Sequence, residues 1–122
     1  MGCAPLPHQV GGPILRTTYA PDLASRSPLE PVPDLPTPVC EGSLAAHGGV
    51  FYYSNPSSSH ARVNNTVHAS RDGGATWPAA AVYNPAPAGG GYSALVARKA
   101  DLAVAFEVFS MQGINFTTVP YF

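Results

Sequence analysis

Only 11% of this 122-residue sequence is charged, so few of its side chains are of types that do chemistry. Arg62 offers a planar guanidinium, whose two parallel donors match a carboxylate as a lysine cannot. Tyr92, which follows Gly89-Gly90-Gly91, offers a phenol. With an ordinary pKa of about 10, a phenol is a weak nucleophile at neutral pH unless a base stands beside it. Glu107 interrupts the apolar run Val104-Ala105-Phe106, where a carboxylate is expected to be paired or to sit at a strand end. Each residue also has a plain reading: Arg62 as a surface arginine, Tyr92 as an aromatic lid, Glu107 as a solvated strand end. His47, His60 and His68 lack the cysteine or carboxylate spacing of a metal site and read as surface or loop histidines, so neither metal nor other cofactor is expected. Cys3 and Cys40 could pair, but two cysteines make neither a disulfide framework nor a metal centre.

The elements that must position these residues are short and β-rich. Residues 49–54 (GVFYYS) form the first clear strand-like run, stopped by the breaker Asn55-Pro56-Ser57-Ser58-Ser59. Residues 63–70 alternate, with Val63, Asn65, Val67 and Ala69 on one face, and read as a half-exposed strand. A tight turn at Arg71-Asp72-Gly73-Gly74 leads to Trp77 and a returning strand at 79–83, and three further runs follow at 93–98, 102–109 and 114–119. Before residue 39 the pattern differs. Nine of the 14 prolines fall there, which denies the chain helical hydrogen bonds and leaves one weak strand at 13–19. The expected organisation is a Pro-rich, mostly irregular segment over 1–38 and a β-sheet region over 39–122.

Composition excludes several classes. Fourteen prolines and 12 glycines without a three-residue period exclude collagen, coiled coils and long bundles. A net charge of -1 with scattered basic residues gives no footprint for nucleic acid. No apolar run approaches the roughly 18 residues of a membrane span. The first twelve residues show neither a basic nor an apolar signal region, and Leu6 breaks the myristoylation pattern begun by Met1-Gly2-Cys3, so no compartment is indicated. Asn64-Asn65-Thr66 and Asn115-Phe116-Thr117 are N-glycosylation sequons of small weight.

Ser70-Arg71-Asp72-Gly73-Gly74-Ala75-Thr76-Trp77 fits S-x-D-x-G-x-T-W and resembles the Asp box of bacterial neuraminidase repeats. Its residue types suit a built turn. Asp72 can accept backbone N–H bonds, the glycines permit positive φ, and Trp77 supplies an apolar plate, so Ser70, Asp72, Gly74, Thr76 and Trp77 are expected to be structural. From about Pro38 onward the chain is similar to the C-terminal part of exo-α-sialidases. The matching segments are Pro38-Val39-Cys40-Glu41-Gly42-Ser43-Leu44, Phe51-Tyr52-Tyr53-Ser54-Asn55-Pro56, Arg62-Val63-Asn64 with Thr66-Val67, Gly91-Tyr92-Ser93-Ala94-Leu95, and Val104-Ala105-Phe106-Glu107. The resemblance implies that Tyr92 is the nucleophile of a retaining glycoside hydrolase and that Arg62 is one of three arginines holding the substrate carboxylate. A carboxylate nucleophile would be repelled by that substrate group, and sialidases are the known tyrosine exception. Glu107 matches a glutamate that orients the first arginine. The family's acid, base and first arginine lie upstream of the matched region and find no counterpart here; Arg16 is a weak candidate for the second arginine.

The implied partners are sialylated glycoproteins, gangliosides and oligosaccharides. The expected fold is all-β, about two antiparallel blades of a sialidase-type six-bladed β-propeller, which complete would take about 250–300 residues. An incomplete fold of that kind exposes sheet edges through which copies would self-associate. The alternative to a hydrolase is a non-catalytic Asp-box propeller piece that binds an acidic sugar or serves only as structure.

Overall fold

Residues 12–109 and 112–122 are described by the structure, a computed structural model. Cys3 and the Met1-Gly2-Cys3 start lie outside them. Among the described residues nine strands run in chain order: β1 (Leu15–Arg16), β2 (Glu30–Pro31), β3 (Ser43–His47), β4 (Val50–Pro56), β5 (Val63–Ser70), β6 (Ala79–Gly89), β7 (Ser93–Ala97), β8 (Asp101–Val108) and β9 (Gly113–Pro120). They form a two-stranded ladder β1-β2, a four-stranded sheet β3-β4-β5-β6 and a three-stranded sheet β7-β8-β9. All pairings are antiparallel and join strands adjacent in sequence, as in consecutive propeller blades. The all-β blade expectation therefore holds for the described residues.

The core lies between the two larger sheets. Along β8 burial alternates strictly, and Leu102, Val104, Phe106 and Val108 point inward with Leu95 and Val119. They meet Tyr52, Val67 and Ala69 of the first sheet. The period of two in β8 thus turns an apolar-rich strand into one packing face. Tyr121 and Phe122 close one end of this core, Tyr121 stacking on His47 with ring centroids 4.2 Å apart. The other face of the β7-β8-β9 sheet is apolar but open. Cross-strand rows place Ala94, Ala105 and Phe116 together, then Val96, Ala103 and Thr118, with Phe116 76% exposed.

Several sequence expectations are corrected. β4 runs through Asn55 and Pro56, which pair with Thr66 and Asn65, so the breaker acts only after Pro56; proline is tolerated near the end of a strand. β5 has the expected bounds but is not half-exposed: residues 65–70 are buried on both faces. Val67 and Ala69 face the second sheet. On the opposite face His68 pairs with Tyr53, and Tyr53 packs against a second cluster of Val32, Leu35 and Trp77. His68 is therefore a buried strand residue, not a surface or loop histidine. β6 continues to Gly89 past Pro85 and Pro87, because it is a sheet-edge strand whose outer N–H groups need no ladder partner. Trp77 precedes β6 and packs beneath the turn. β3 has no counterpart among the expected runs; it exists because Gly48 and Gly49, at φ 58° and 79°, make a two-residue turn that folds residues 43–47 back on β4. Within 12–38 the weak strand at 13–19 shrinks to Leu15–Arg16, paired with Glu30–Pro31.

Candidate functional site

Arg62 stands just before β5, where the β5-β6 ladder is irregular. The register shifts between Val63 and Asn65 and again between Asn65 and Thr66. Asn64 adopts φ 56°, a left-handed conformation that asparagine tolerates better than most residues. The irregularity is tied down locally: the Asn64 side-chain oxygen accepts the Ala86 N–H at 2.8 Å, and the Thr66 hydroxyl donates to the Asn64 carbonyl at 2.7 Å. Bulges of this kind re-aim side chains at strand ends. Here the side chain concerned is Arg62, whose guanidinium carbon lies 5.2 Å from the centroid of the Tyr92 ring. Its Nε and Nη1 are buried and have no hydrogen-bond partner among the described residues. No carboxylate lies within ion-pair distance of Arg62 there either; the ion pairs seen are Arg16–Glu30 and Arg98–Asp101.

Tyr92 is the residue before β7 and is 40% exposed. Its backbone pairs with Glu107 of β8. The Tyr92 N–H donates to Glu107 Oε2 at 3.0 Å, and the Glu107 N–H donates to the Tyr92 carbonyl at 3.0 Å. The Glu107 carboxylate thus holds the Tyr92 backbone. The glycines ahead of Tyr92 are a close-approach device, not merely a break. A Cβ on Gly90 would come within 2.8 Å of both Asn84 Nδ2 and the Glu107 carbonyl, and one on Gly91 would strike the Glu107 carboxylate. Gly90 in turn donates its N–H to the Arg62 carbonyl at 3.0 Å, which links the two chain segments directly.

The structure therefore brings Arg62, Tyr92 and Glu107 into one cluster. Sequence reasoning left out three neighbours. Burial pushes the Cys40 thiol pKa up, while Arg62 pulls it down and Glu107 raises it, so Cys40 lies within electrostatic reach of both. Asn65 and Asn84 form a buried amide pair beside Gly90 and Gly91. The available signal was an Asn-Asn step inside a strand-like run together with a glycine triplet; buried amides persist only when hydrogen-bonded.

Arg16 lies elsewhere. It pairs with Glu30 at 3.1 Å and donates to the Gly73 carbonyl at 3.4 Å. Gly73 belongs to the turn at the far end of β5, roughly 25 Å from Arg62 for an eight-residue strand. That turn, residues 70–77, is internally bonded. Ser70 Oγ donates to Asp72 Oδ1 at 2.8 Å and accepts the Gly74 N–H at 2.9 Å. Asp72 also accepts the Thr76 N–H at 2.9 Å and the Thr76 hydroxyl at 2.5 Å. The Trp77 indole N–H donates to the Gly74 carbonyl at 3.1 Å. The Thr76 side-chain and backbone bonds, followed by Ser70, hold the Asp72 carboxyl well below the usual carboxylate range.

No family model and no curated protein matches the chain. Among solved structures, the Hadza microbial sialidase Hz136 aligns with a TM-score of 0.63 and 29% sequence identity, over 70% of this chain and 18% of its own. The chain thus has a sialidase-like fold and spans less than a fifth of that sialidase's length.

Proposed function

We propose that the Arg62, Tyr92 and Glu107 cluster is a sialic-acid site of sialidase type, with the turn at 70–77 an Asp box serving only the fold. The observation that carries this reading is the state of Arg62. Its Nε and Nη1 are buried and unpartnered among the described residues, and its guanidinium carbon lies 5.2 Å from the Tyr92 ring centroid. Buried donors normally find partners, so donors left open at one place point to a group that arrives from outside. Each of these donors shares an edge of the guanidinium with Nη2, and either edge is a two-donor fork that takes a carboxylate, as Arg98 Nε and Nη2 take Asp101; a sialic acid carries a carboxylate on its anomeric carbon. In the hydrolytic reading Tyr92 Oη attacks that carbon and the glycosidic bond to the leaving oxygen breaks. A glycosyl-tyrosine forms, and water then releases the sugar with retention of configuration. Glu107 keeps the Tyr92 backbone in place.

One observation favours binding without turnover. Among the described residues Tyr92 makes hydrogen bonds only through its backbone, so no base stands on its hydroxyl. Two measurements separate the readings. Release of a fluorophore from a sialoside by the purified chain, abolished by Tyr92→Phe, supports the hydrolase. No release above buffer together with sialyllactose binding that vanishes in Arg62→Ala supports the binder. Sialyllactose binding that Arg62→Ala leaves unchanged rejects the site altogether.

A further inference from the structure

We propose that Asn65 and Asn84 are positioning residues that hold Tyr92 opposite Arg62; the proposal rests on the reading of Arg62 and Tyr92 given above. Asn65 on β5 is fully buried and Asn84 on β6 is 8% exposed. They face each other across the ladder, Asn84 Nδ2 donating to Asn65 Oδ1 at 3.0 Å. Asn65 Nδ2 then reaches out of its own sheet and donates to the Gly91 carbonyl at 3.3 Å. The residue on the other side of Tyr92 is held as well. Ser93 Oγ lies 2.8 Å from Ser54 Oγ, which lies 2.8 Å from the Tyr83 hydroxyl. Tyr92 is thus gripped through both of its neighbours while staying partly open to solvent itself.

The glycines show what this arrangement requires. Gly90 lies so close to the amide pair that a Cβ there would collide with Asn65 Oδ1. The same residue carries the N–H that bonds the Arg62 carbonyl. The amide pair therefore presses on the single segment that connects the Arg62 backbone to Tyr92. If the pair served only to fill the sheet, an apolar pair of the same shape would do nearly as well, because removing both partners of the Asn84–Asn65 bond together is close to neutral for stability and the one group left without its donor is the Gly91 carbonyl. That equivalence lets stability be separated from position.

The test is the double variant Asn65→Leu/Asn84→Leu in the full chain, with two readouts. In ligand-free protein the Arg62 Nε–H resonance, displaced by the ring current of Tyr92, reports the geometry. Titration with N-acetylneuraminic acid reports the site. The expected result is a folded protein whose Arg62 Nε–H resonance moves toward the position it takes in Tyr92→Leu, and whose affinity for N-acetylneuraminic acid falls about tenfold. A folded variant with the resonance unmoved overturns the proposal. If the double variant does not fold, Asn84→Ala is measured by the same resonance: a shift toward the Tyr92→Leu position supports the proposal and an unmoved resonance overturns it. Failure of both to fold also overturns it, since the pair is then core support. Absence of N-acetylneuraminic acid binding by the unaltered chain defeats the functional reading above, and the resonance alone then decides this proposal.

Discussion

The two ends of β5 are built from similar materials and finished in opposite ways. At its C-terminal end, Ser70, Asp72, Gly74, Thr76 and Trp77 satisfy one another within eight residues, and the carboxylate oxygens of Asp72 take three donors. At its N-terminal end, Arg62 is fixed through its backbone while Nε and Nη1 of its side chain stay buried without partners among the described residues. A saturated end has nothing left to offer a ligand, and its residues matter through stability. An unsaturated end has already lost hydration of its donors, so an incoming carboxylate meets a cation that water does not fully screen. The contrast teaches that motif density is a poor guide to open donors: the most legible motif in this chain marks the end whose polar groups are already satisfied.

The comparison can be broken or sharpened by variants at either end. The largest effect is expected at the turn. Trp77→Ala removes a buried indole that packs on Val32, Leu35 and Tyr53 and should cost about 3–5 kcal/mol by denaturant melt, with sialyllactose affinity unchanged in protein that remains folded. A large change in that affinity would erase the distinction between the two ends.

Next is His68, near the C-terminal end of β5, whose pKa burial lowers from its ordinary 6.5 to about 4. Its neutral form is favoured in the fold, so the unfolded chain takes up the proton first. Stability is therefore full above pH 6.5 and declines as the pH falls toward about 4, by at most about 3 kcal/mol. His68→Gln should flatten the melting temperature across that window; an equally steep curve would assign the loss to another group.

Arg62→Ala should weaken sialyllactose binding on the order of 100-fold while leaving the melt intact or slightly raised, because an unpaired buried cation is removed. Arg62→Lys should restore little of the affinity, since an ammonium lacks the fork. At the opposite end, Asp72→Asn should act in a separate acid window. The folded pKa of Asp72 lies below its ordinary 3.8, so its contribution is present above that pH and is lost as the pH falls further. The variant should melt lower than the parent at neutral pH and converge with it in acid. Smallest is Phe116→Lys on the open face of β9, expected to shift the melt by no more than about 0.5 kcal/mol. It should abolish any concentration-dependent self-association seen by light scattering.

Much of this was legible in the residues themselves. The β5 strand, the turn at 70–77 and the grouping of Arg62, Tyr92 and Glu107 follow from alternation, turn chemistry and a family likeness, all local in sequence. What escaped was set by contacts distant along the chain. His68 reads as polar and exposed until Tyr53 and its cluster cover that face of β5. Asn65 reads as one polar step in an alternating strand until Gly91, 26 positions away, lies against it. The bond from the Tyr92 backbone N–H to Glu107 Oε2 at 3.0 Å, 15 positions along the chain, is also invisible in the local pattern around Glu107. Composition likewise hid β3, whose residues 43–47 carry few β-branched side chains and are held by a glycine turn and the ladder of β4.

The register shift at Asn64 has an evolutionary side. Alternation along a strand means that one residue more or fewer exchanges the two faces for everything beyond it. The extra residues of this irregularity lie in β6, which takes seven steps from Gly89 to Val82 while β5 takes three from Val63 to Thr66, so a residue gained or lost in that stretch of β6 would change what stands opposite Arg62 while the regular ladder of 66–69 kept its pairing and its core. On the proposed reading of Arg62, the length of β6 opposite residues 63–66 is therefore where chains that keep the core of β5 would gain or lose the site.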